Sequence, residues 1–534
     1  MGIRTPGPST VLAARSGDSE RSGGRRFVHP VAVAAVTAVV AAGYSVFALA
    51  QYYTFRTSSY DLVIFDQAVR SYSRFHPGVA VIFGAHEGFG ANVSILSNHW
   101  SPIDASLAPL YWIYNSPLTL LVAQAFLFAL AIPPLWVFTR RAFGGGQKAV
   151  VAAYLVSAAY ALSWPIAAAL AFDFHEVAFV PLLTAVALER LQAGRLRTAL
   201  IALGALLFVK EDMGLFVAGI GLYLLVARPR TVTRQRLVAV AVIVAGIVAT
   251  VIASDVLIPA FGGKANFYWA YQNLGPGVPQ AVEHLILHPI SSLGQLVTPR
   301  TKLYTMLWLF GAFCFLPLRS PIALASIPLL LERMLSDDKF PAWWGTAGHY
   351  NAYLVVLLLF AAVDGAARID RSLVAWRARA EDGQSARVGG VVALGCAAAM
   401  CLVALILVPR FAFGPALHPS FYERNANMRA AAAADAVVPS GVTVAASDYL
   451  GPQLSARDRV LLWDGDGWTS PTAAPWVVAD VRTLQFTFKS RKEQRQRVAL
   501  LERDGYKVVF SRDGYIVLHR PGPPGTLLTR KAVG

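Results

Sequence analysis

Long runs of apolar residues, separated by short polar stretches, dominate the chain from about residue 31 to residue 409. About 20 apolar residues of helix are needed to cross the core of a bilayer. Reading for such runs predicts about eleven transmembrane helices, at 31–50, 118–138, 149–170, 177–191, 198–209, 213–227, 237–256, 302–318, 320–331, 352–367 and 389–409. The chain is therefore expected to be an α-helical polytopic membrane protein.

The composition supports this prediction, because 56% of the residues are hydrophobic and only 15% are charged. Soluble globular proteins carry about 25% charged residues, so a water-soluble enzyme and a disordered chain are both excluded. The net charge of +16 would alone suggest a nucleic-acid partner. However, most Lys and Arg residues fall in one alternate set of loops, such as those containing Arg140, Arg141, Arg195 and Arg197. The basic charge is therefore a topology signal, and no nucleic-acid partner is expected.

The same asymmetry orients the chain in a cell membrane, because loops rich in Lys and Arg remain in the cytoplasm. Residues 1–26, rich in Gly, Ser, Pro and Arg, are predicted to be a disordered cytoplasmic N-terminus. Residues 27–409 form the transmembrane domain, with a long first external loop at 51–117. Residues 410–534 are predicted to form a small extracytoplasmic α/β domain, with strands at 442–446, 460–463, 476–481, 508–510 and 516–519 and helices at 447–457 and 491–504.

Two carboxylates in the first external loop are candidates for chemistry. Asp61 and Asp66 lie on segment 60–75, whose periodicity predicts an amphipathic helix along the membrane surface. Asp61, near the membrane end of the loop, is either a functional carboxylate or the N-cap of this helix. Asp66 is four residues before Arg70, so the alternative for Asp66 is a surface ion pair.

Other ionisable side chains gather in the predicted external turns. Ionisable groups at the end of a membrane helix need partners or a function. The candidates are His99, then Asp173, His175 and Glu176 in one turn, then Lys210, Glu211 and Asp212, which interrupt the apolar run 198–227. The structural alternative for His99 is a hydrogen-bonded loop residue. For the turn at 173–176 it is a solvated turn with helix capping, and for Lys210 it is a local ion pair with Glu211 or Asp212. Otherwise Lys210 binds a phosphate, with Glu211 or Asp212 as its orienting partner.

Later external loops add Arg300, Lys302, His349 and Tyr350, together with several tryptophans. Aromatic residues at this level form either a membrane belt or a sugar-binding cleft. Asp173 and His175 are also candidate ligands for a divalent metal. No HExxH or CxxC spacing supports a metal site, so the metal requirement stays unknown.

Four motifs carry a resemblance to a known family. They are Tyr60-Asp61-Leu62-x-Ile64-Phe65-Asp66-Gln67, His99-x-Ser101-Pro102, Phe174-His175-Glu176 and Lys210-Glu211-Asp212. In these motifs and their order the chain resembles the bacterial membrane family known as domain of unknown function 2079, over about residues 30–520. That family is similar to membrane glycosyltransferases of the GT-C type. These enzymes have many helices, a long first external loop with a catalytic acid, and often an external C-terminal domain.

The resemblance implies a GT-C-like fold and roles for individual residues. Asp61 stands where these enzymes place their catalytic acid, and Asp66 is the second choice. GT-C enzymes often have an Arg or a second acid next to that position. Here Arg56 precedes it and Asp66 follows. Which of the two carboxylates is the catalytic base therefore stays open. Lys210, with Arg300 or Lys302, would hold the leaving phosphate. The acceptor, the sugar or a divalent metal would be positioned by His99, Asp173, His175 and Glu176.

The function expected from the resemblance is transfer of a sugar from a polyprenyl-phosphate donor at the outer face of the membrane. The partners would be membrane lipid and an acceptor in the envelope, which is a glycan, a lipid or a protein. One alternative is a transporter or lipid flippase, for which only the cluster at 210–212 is suitable. The other alternative is a non-catalytic membrane scaffold whose tail binds an envelope partner.

Overall fold

The structure, a computed structural model, describes residues 18–227, 233–265, 268–380, 390–465 and 473–525. It is mostly helical and carries a small sheet near the C-terminus. The α-helices before residue 228 are α1 Asp18–Tyr53, α2 Ile64–Ser73, α3 Val81–His86, α4 Ala108–Ile113, α5 Leu118–Ala129, α6 Ile132–Ala142, α7 Gln147–Ala161, α8 Trp164–Leu170, α9 Phe179–Gln192, α10 Leu196–Leu206 and α11 Met213–Ala227. Those that follow are α12 Thr233–Ile252, α13 Ile258–Ala260, α14 Val278–Leu287, α15 Pro289–Gln295, α16 Arg300–Gly311, α17 Ile327–Leu335, α18 Ala352–Ala380, α19 Val391–Leu407, α20 Ala426–Val437, α21 Gly451–Leu454 and α22 Arg491–Arg503.

Six of the predicted spans have the length and composition to cross a bilayer. Among the described residues, five helical stretches qualify, namely His29–Tyr53, Leu118–Ala142, Gln235–Ala260, Ala352–Arg377 and Val391–Arg410. The sixth is the pair α7 and α8, which bends by 41°. The other five predicted runs are the helices α9, α10, α11, α16 and α17, of 9 to 15 residues. They are shorter than the run of about 20 residues that a straight span needs.

Helix α18 lies at the centre of the bundle. In its most apolar stretch 83% of the residues are buried, whereas in α12 only 22% are. The apolar side chains that α12 leaves exposed include Val240, Val244 and Val251. Such a surface is stable only against an apolar environment, which agrees with a bundle whose outer helices face lipid.

The C-terminal sheet has five strands, β1 Thr443–Ala446, β2 Arg459–Leu462, β3 Trp476–Asp480, β4 Lys507–Arg512 and β5 Tyr515–His519. Their order is β2-β1-β3-β5-β4. Strand β1 pairs in parallel with both β2 and β3, and β5 pairs antiparallel with β3 and β4. All five strands were predicted from short apolar runs that Pro and Gly punctuate, and the α/β character of this region is confirmed.

One face of the sheet packs on the long loop that follows α1. A single apolar cluster joins Ile64, Ala68 and Phe83 of the loop to Val444 and Val460 of the sheet. The Gln67 side chain adds polar contacts, because its Nε2 donates to Val460 O at 2.9 Å and its Oε1 accepts from Ile82 N at 2.9 Å. The loop is therefore held between the helix bundle and the sheet.

Three local predictions differ from the structure. Disorder was predicted for residues 1–26, but residues 18–26 belong to α1, because this helix extends beyond its apolar run. Residues 1–17 lie outside the described residues. The helix predicted at 447–457 is shortened to α21, and α20 was not predicted. Helix α2 does not lie on a surface, because Phe65, Asp66 and Val69 are all buried.

Candidate functional site

Asp61 lies on a single π-helical turn, Ser59–Val63, that joins α1 to α2. The residue that caps this turn is Ser58, whose Oγ accepts from Asp61 N at 3.4 Å, so the N-cap interpretation of Asp61 is wrong. The Asp61 side chain is 28% exposed, and its Oδ1 lies 3.3 Å from His175 Nε2. Asp61 is thus an accessible carboxylate in contact with an imidazole.

Two other carboxylates hold the backbone of this turn. Asp173 Oδ2 accepts from Ser58 N at 2.7 Å. On the other side, Asp448 Oδ1 accepts from Tyr60 N at 3.0 Å and from Ser58 Oγ at 3.3 Å. The backbone oxygen of Asp448 accepts from Ser59 N at 2.7 Å and from Ser59 Oγ at 2.6 Å. The position of Asp61 is therefore set jointly by the helix bundle and by the C-terminal sheet.

A glycine and an amide side chain support these contacts. A Cβ atom at Gly451 would collide with Ser59 Oγ, so a larger residue would force the two segments to shift. Gln124 Nε2 donates to Asp173 O at 2.7 Å, and Gln124 Oε1 accepts from His175 N at 3.2 Å. Asp173 itself has a φ of 67°, a left-handed conformation that is uncommon outside Gly but that Asp adopts more readily than most residues. Asp173 is thus a structural support of the site.

The neighbouring residues His175 and Glu176 join Asp61 to Lys210. While His175 contacts Asp61, Glu176 Oε1 lies 3.3 Å from Lys210 Nζ. The Glu176 side chain is 1% exposed and the Lys210 side chain 11%, so this is a buried ion pair. Lys210 therefore pairs across the bundle, and the interpretation in which it pairs with Glu211 or Asp212 is wrong.

Electrostatics keep this pair ionised in spite of its burial. Burial alone would lower the pKa of Lys210, but the carboxylates of Glu176, Asp212 and Glu211 hold it well above its ordinary value. Burial would raise the pKa of Glu176, yet Lys210, His99 and His175 hold it below its ordinary value. Lys210 consequently presents a permanent positive charge at neutral pH.

Glu211 connects the break between α10 and α11 to the loop that carries His99. Glu211 Oε1 lies 2.7 Å from His99 Nδ1, and Glu211 Oε2 accepts from Trp100 N at 3.1 Å. The His99 ring also stacks on Tyr268, with ring centroids 4.7 Å apart. Burial raises the pKa of the neighbouring Asp212, against the effect of Lys210. All three ionisable residues at 210–212 thus belong to one partly buried group of interacting charges.

His349 lies against His175, on the side of the loop before α18. Its ring stacks on that of His175 at 4.0 Å between centroids, and it also contacts the rings of Phe172 and Tyr350. Within the described part of the chain, neither ring nitrogen of His349 has a hydrogen-bond partner, although its side chain is buried. Burial, followed by the nearby His175 and Lys210, lowers the pKa of His349 well below its ordinary value. His349 is thus a neutral imidazole with unused hydrogen-bonding capacity.

The structure brings most of the predicted site residues together at one end of the helix bundle. We call the following set the polar cluster: Asp61, His99, His175, Glu176, Lys210, Glu211 and His349. Asp173, Asp212 and Tyr350 lie directly beside it.

Three predicted residues have other surroundings. Asp66 is completely buried, 2.8 Å from Arg70 Nη2, and accepts from the Tyr111 hydroxyl at 2.8 Å and from Ser455 Oγ. Lys302 Nζ donates to the backbone oxygens of Met334 and Ser336, both at 2.7 Å. Arg300 is exposed at the start of α16. The described contacts of Asp66 and Lys302 are those of structural residues.

Metal binding has no geometric support among the described residues, where no group of three or more His, Cys, Asp or Glu side chains is arranged to hold an ion. The divalent metal thus stays a prediction. Sequence reasoning missed Asp448, Gln124 and the ring contact of Tyr268. Asp448 is 388 residues from Tyr60, and no local pattern indicates such a contact.

Comparison with known proteins gives a family and two similar structures. The family profile described as predicted membrane protein, DUF2079, matches residues 51–517. The crystal structure of ArnT from Cupriavidus metallidurans bound to undecaprenyl phosphate is 12% identical, with a TM-score of 0.45 over 92% of this chain and 99% of that one. The apo structure of the same protein is 13% identical, with a TM-score of 0.48 over 95% and 100%. No protein of curated function matches the chain in sequence.

Proposed function

The chain belongs to the DUF2079 family of predicted membrane proteins, and we propose that it is a GT-C-type glycosyltransferase. In this proposal it transfers a sugar from a polyprenyl-phosphate donor to an acceptor of the cell envelope, at the outer face of the membrane. The supporting observation is that adjacent residues bring an accessible acid and a buried cation together. His175 contacts Asp61, and Glu176 contacts Lys210.

Transfer of a sugar from a lipid phosphate needs these two kinds of group. The glycosidic bond between the anomeric carbon and the phosphate oxygen breaks, and the bonding electrons stay with the phosphate. The acceptor oxygen bonds to the anomeric carbon and loses its proton. In the proposed mechanism the Asp61 carboxylate takes that proton, and His175 orients Asp61 through their 3.3 Å contact.

Lys210 stabilises the charge that develops on the leaving phosphate. Because three carboxylates hold Lys210 protonated, its positive charge is present before the lipid arrives, which avoids reorganisation during the reaction. The incoming phosphate would share Lys210 with Glu176. His349, whose ring nitrogens have no partner among the described residues, can donate to or accept from a hydroxyl group of the sugar.

A lipid donor also needs access from the bilayer. The polar cluster lies where apolar helices end: Asp61 follows α1, His175 follows α8, Lys210 follows α10, and His349 precedes α18. A donor whose polyprenyl tail remains among the helices could therefore place its phosphate at this level. The cluster at 210–212 lies in the break between α10 and α11 and is tied to Glu176 and His99, so in this proposal it belongs to the same phosphate site.

The proposal is tested by donor turnover. The full-length protein in proteoliposomes is given a panel of undecaprenyl-phosphate-linked hexoses and N-acetylhexosamines, and release of undecaprenyl phosphate is measured. We expect the wild type to consume at least one donor, and Asp61→Asn to lower the rate on the order of 10²- to 10⁴-fold. The Asp337→Asn variant is the matched control, because Asp337 is a carboxylate outside the polar cluster.

Equal turnover by the wild type and by folded Asp61→Asn protein would exclude Asp61 as the base. No turnover of any donor by the wild type, in the presence of a membrane extract that supplies acceptors, would count against the transferase itself. Retention of the wild-type melting temperature by Asp61→Asn shows that the variant is folded.

A further inference from the structure

A cavity of about 650 Å³ lies between helices α1, α6 and α7. His29 of α1 lines this cavity, and from His29 the helix continues for 25 residues to Tyr53. A helix of that length measures about 36 Å, and Asp61 lies in the turn that follows it. The cavity is therefore at the opposite end of the bundle from the polar cluster.

The lining of this cavity carries a positive charge. Among the described residues that line it, Arg140 is the one Lys or Arg, and none is Asp or Glu. The Arg140 guanidinium lies 5.6 Å from the centre of the Trp136 ring, which belongs to the same wall. The adjacent Arg141 pairs with Glu189, whereas Arg140 has no ion pair within the described residues. Arg140 thus presents its charge at the cavity.

The start of helix α7 adds a second feature that favours an anion. Gly145, Gly146 and Gln147 line the cavity, and α7 begins at Gln147. Gly146 caps this helix without a side-chain hydrogen bond. The first backbone N–H groups of an α-helix have no partner within the helix, and together with the helix dipole they favour phosphate. The guanidinium and the helix start therefore favour the same kind of group.

The remaining wall is apolar. Its side chains include Val33, Ala34, Pro133, Val137 and Val150. The volume of about 650 Å³ lies within the range of about 300–1,000 Å³ that is typical of sites for ligands of many atoms, so the cavity holds much more than a phosphate ion. Hydrocarbon is the matching chemistry for this wall, because contact with it removes apolar surface from water. Phosphate and hydrocarbon together are the two parts of a phospholipid.

Two further cavities at this end of the bundle are also lined by arginine. Helices α9 and α18 lead to them from the polar cluster. One contains Arg195 and Arg197, the other contains Arg319, Arg368 and Arg371, and no Asp or Glu is among the described residues that line them. Basic pockets between membrane helices on the cytoplasmic side bind the headgroups of anionic lipids. The cavity between α1, α6 and α7 differs from these two in that its arginine lies over an aromatic ring of the cavity wall.

We propose that the cavity between α1, α6 and α7 binds one anionic phospholipid. Its phosphate lies beside Arg140 and the start of α7, and an acyl chain covers Val33 and Val137. In the orientation proposed for the chain, this lipid belongs to the cytoplasmic leaflet. Its binding does not depend on sugar transfer at the other end of the bundle.

The test is photo-crosslinking of the full-length protein in phosphatidylcholine vesicles. Phosphatidylglycerol and phosphatidylcholine with the same diazirine-labelled acyl chains are added separately in trace amounts, and labelled peptides are identified by mass spectrometry. We expect phosphatidylglycerol to label segments 30–34 and 133–137 about fivefold more than phosphatidylcholine does, which is the effect of one basic residue beside an anionic lipid. Arg140→Gln should lose this preference. Arg377→Gln, which changes an exposed arginine outside the three cavities, should keep it.

Equal labelling of these segments by the two lipids in the wild type would overturn the proposal, as would a preference that Arg140→Gln leaves unchanged. Labelling by phosphatidylcholine should be the same in the wild type and in Arg140→Gln, because the apolar wall is unchanged. Loss of the phosphatidylglycerol label on addition of millimolar glycerol 1-phosphate would show that the site binds a free phosphate ester, and would overturn the lipid assignment. Asp61→Asn should be labelled as the wild type is, so this result and donor turnover are independent.

Discussion

The Asp448 carboxylate, just beyond strand β1 of the C-terminal sheet, accepts a hydrogen bond from the backbone N–H of Tyr60 at 3.0 Å. Tyr60 immediately precedes Asp61, so the C-terminal sheet directly fixes the backbone that presents the candidate base. Asp448 N in turn donates to Gln485 Oε1 at 3.1 Å, which anchors Asp448 within its own domain. The C-terminal region is therefore part of the site and not an appended module.

The contact between Asp448 and the turn should depend on pH. Burial raises the pKa of Asp448 from 3.8 to about 6. The hydrogen bonds from the turn favour the ionised form, but burial outweighs them. Protonation of Asp448 therefore favours the native, buried position of this side chain, and this contribution is lost as pH rises from about 4 through about 6. A shift of this size corresponds to about 3 kcal/mol at most. Hydrogen exchange of residues 58–61, corrected for the intrinsic rate, should therefore be slower at pH 5 than at pH 7.5.

Asp448→Asn provides the control for this pH dependence. Asparagine keeps an acceptor oxygen for Tyr60 N but cannot ionise, so exchange at 58–61 should no longer change between pH 5 and pH 7.5. The same pH dependence in the wild type and in Asp448→Asn would show that another group is responsible.

Asp66 and Asp61 should respond differently to the same substitution. Asp66 is buried against Arg70, Tyr111 and Ser455, so Asp66→Asn should lower the free energy of unfolding by about 1–3 kcal/mol. Asp61 is partly exposed, and Asp61→Asn should change the free energy of unfolding by less than about 1 kcal/mol. Chemical denaturation of both variants measures these values. A larger loss in Asp61→Asn than in Asp66→Asn would contradict these assignments.

Breaking the ion pair between Glu176 and Lys210 should be costly. Glu176→Gln leaves Lys210 buried without its closest counter-charge, and such a change typically costs about 3–5 kcal/mol. The double variant Glu176→Gln with Lys210→Met should be more stable than Glu176→Gln alone, because no unpaired cation remains. Arg368→Gln removes a partner from an exposed pair, for which about 0.5 kcal/mol is expected. Additive effects in the double variant would mean that the two side chains do not interact.

The sequence was sufficient for features that depend on local pattern. The five strands of the C-terminal sheet and the six long apolar segments could be predicted because short and long apolar runs, respectively, indicate them. The polar motifs around Asp61, His175 and Lys210 were also found, because ionisable residues beside apolar runs are conspicuous.

The pairings within the polar cluster could not be predicted. Lys210 has two acids directly after it in the sequence, yet its closest counter-charge is Glu176, because the break between α10 and α11 directs the lysine across the bundle. Asp66 was expected on a membrane surface, and only the packing of the C-terminal sheet, through Ser455, shows why it is buried. These contacts depend on how distant segments pack, which a single sequence does not encode in any local pattern.

The most direct test of the central claim is the affinity of the purified protein for undecaprenyl phosphate, measured by native mass spectrometry. That lipid is the product that the proposed reaction releases from its donor. If Lys210 holds the phosphate, Lys210→Gln should weaken binding at least tenfold, because a charge-assisted contact contributes about 1.5–3 kcal/mol. Lys264→Gln, which changes an exposed lysine, should bind as the wild type does. Equal affinity of Lys210→Gln and Lys264→Gln would contradict the account.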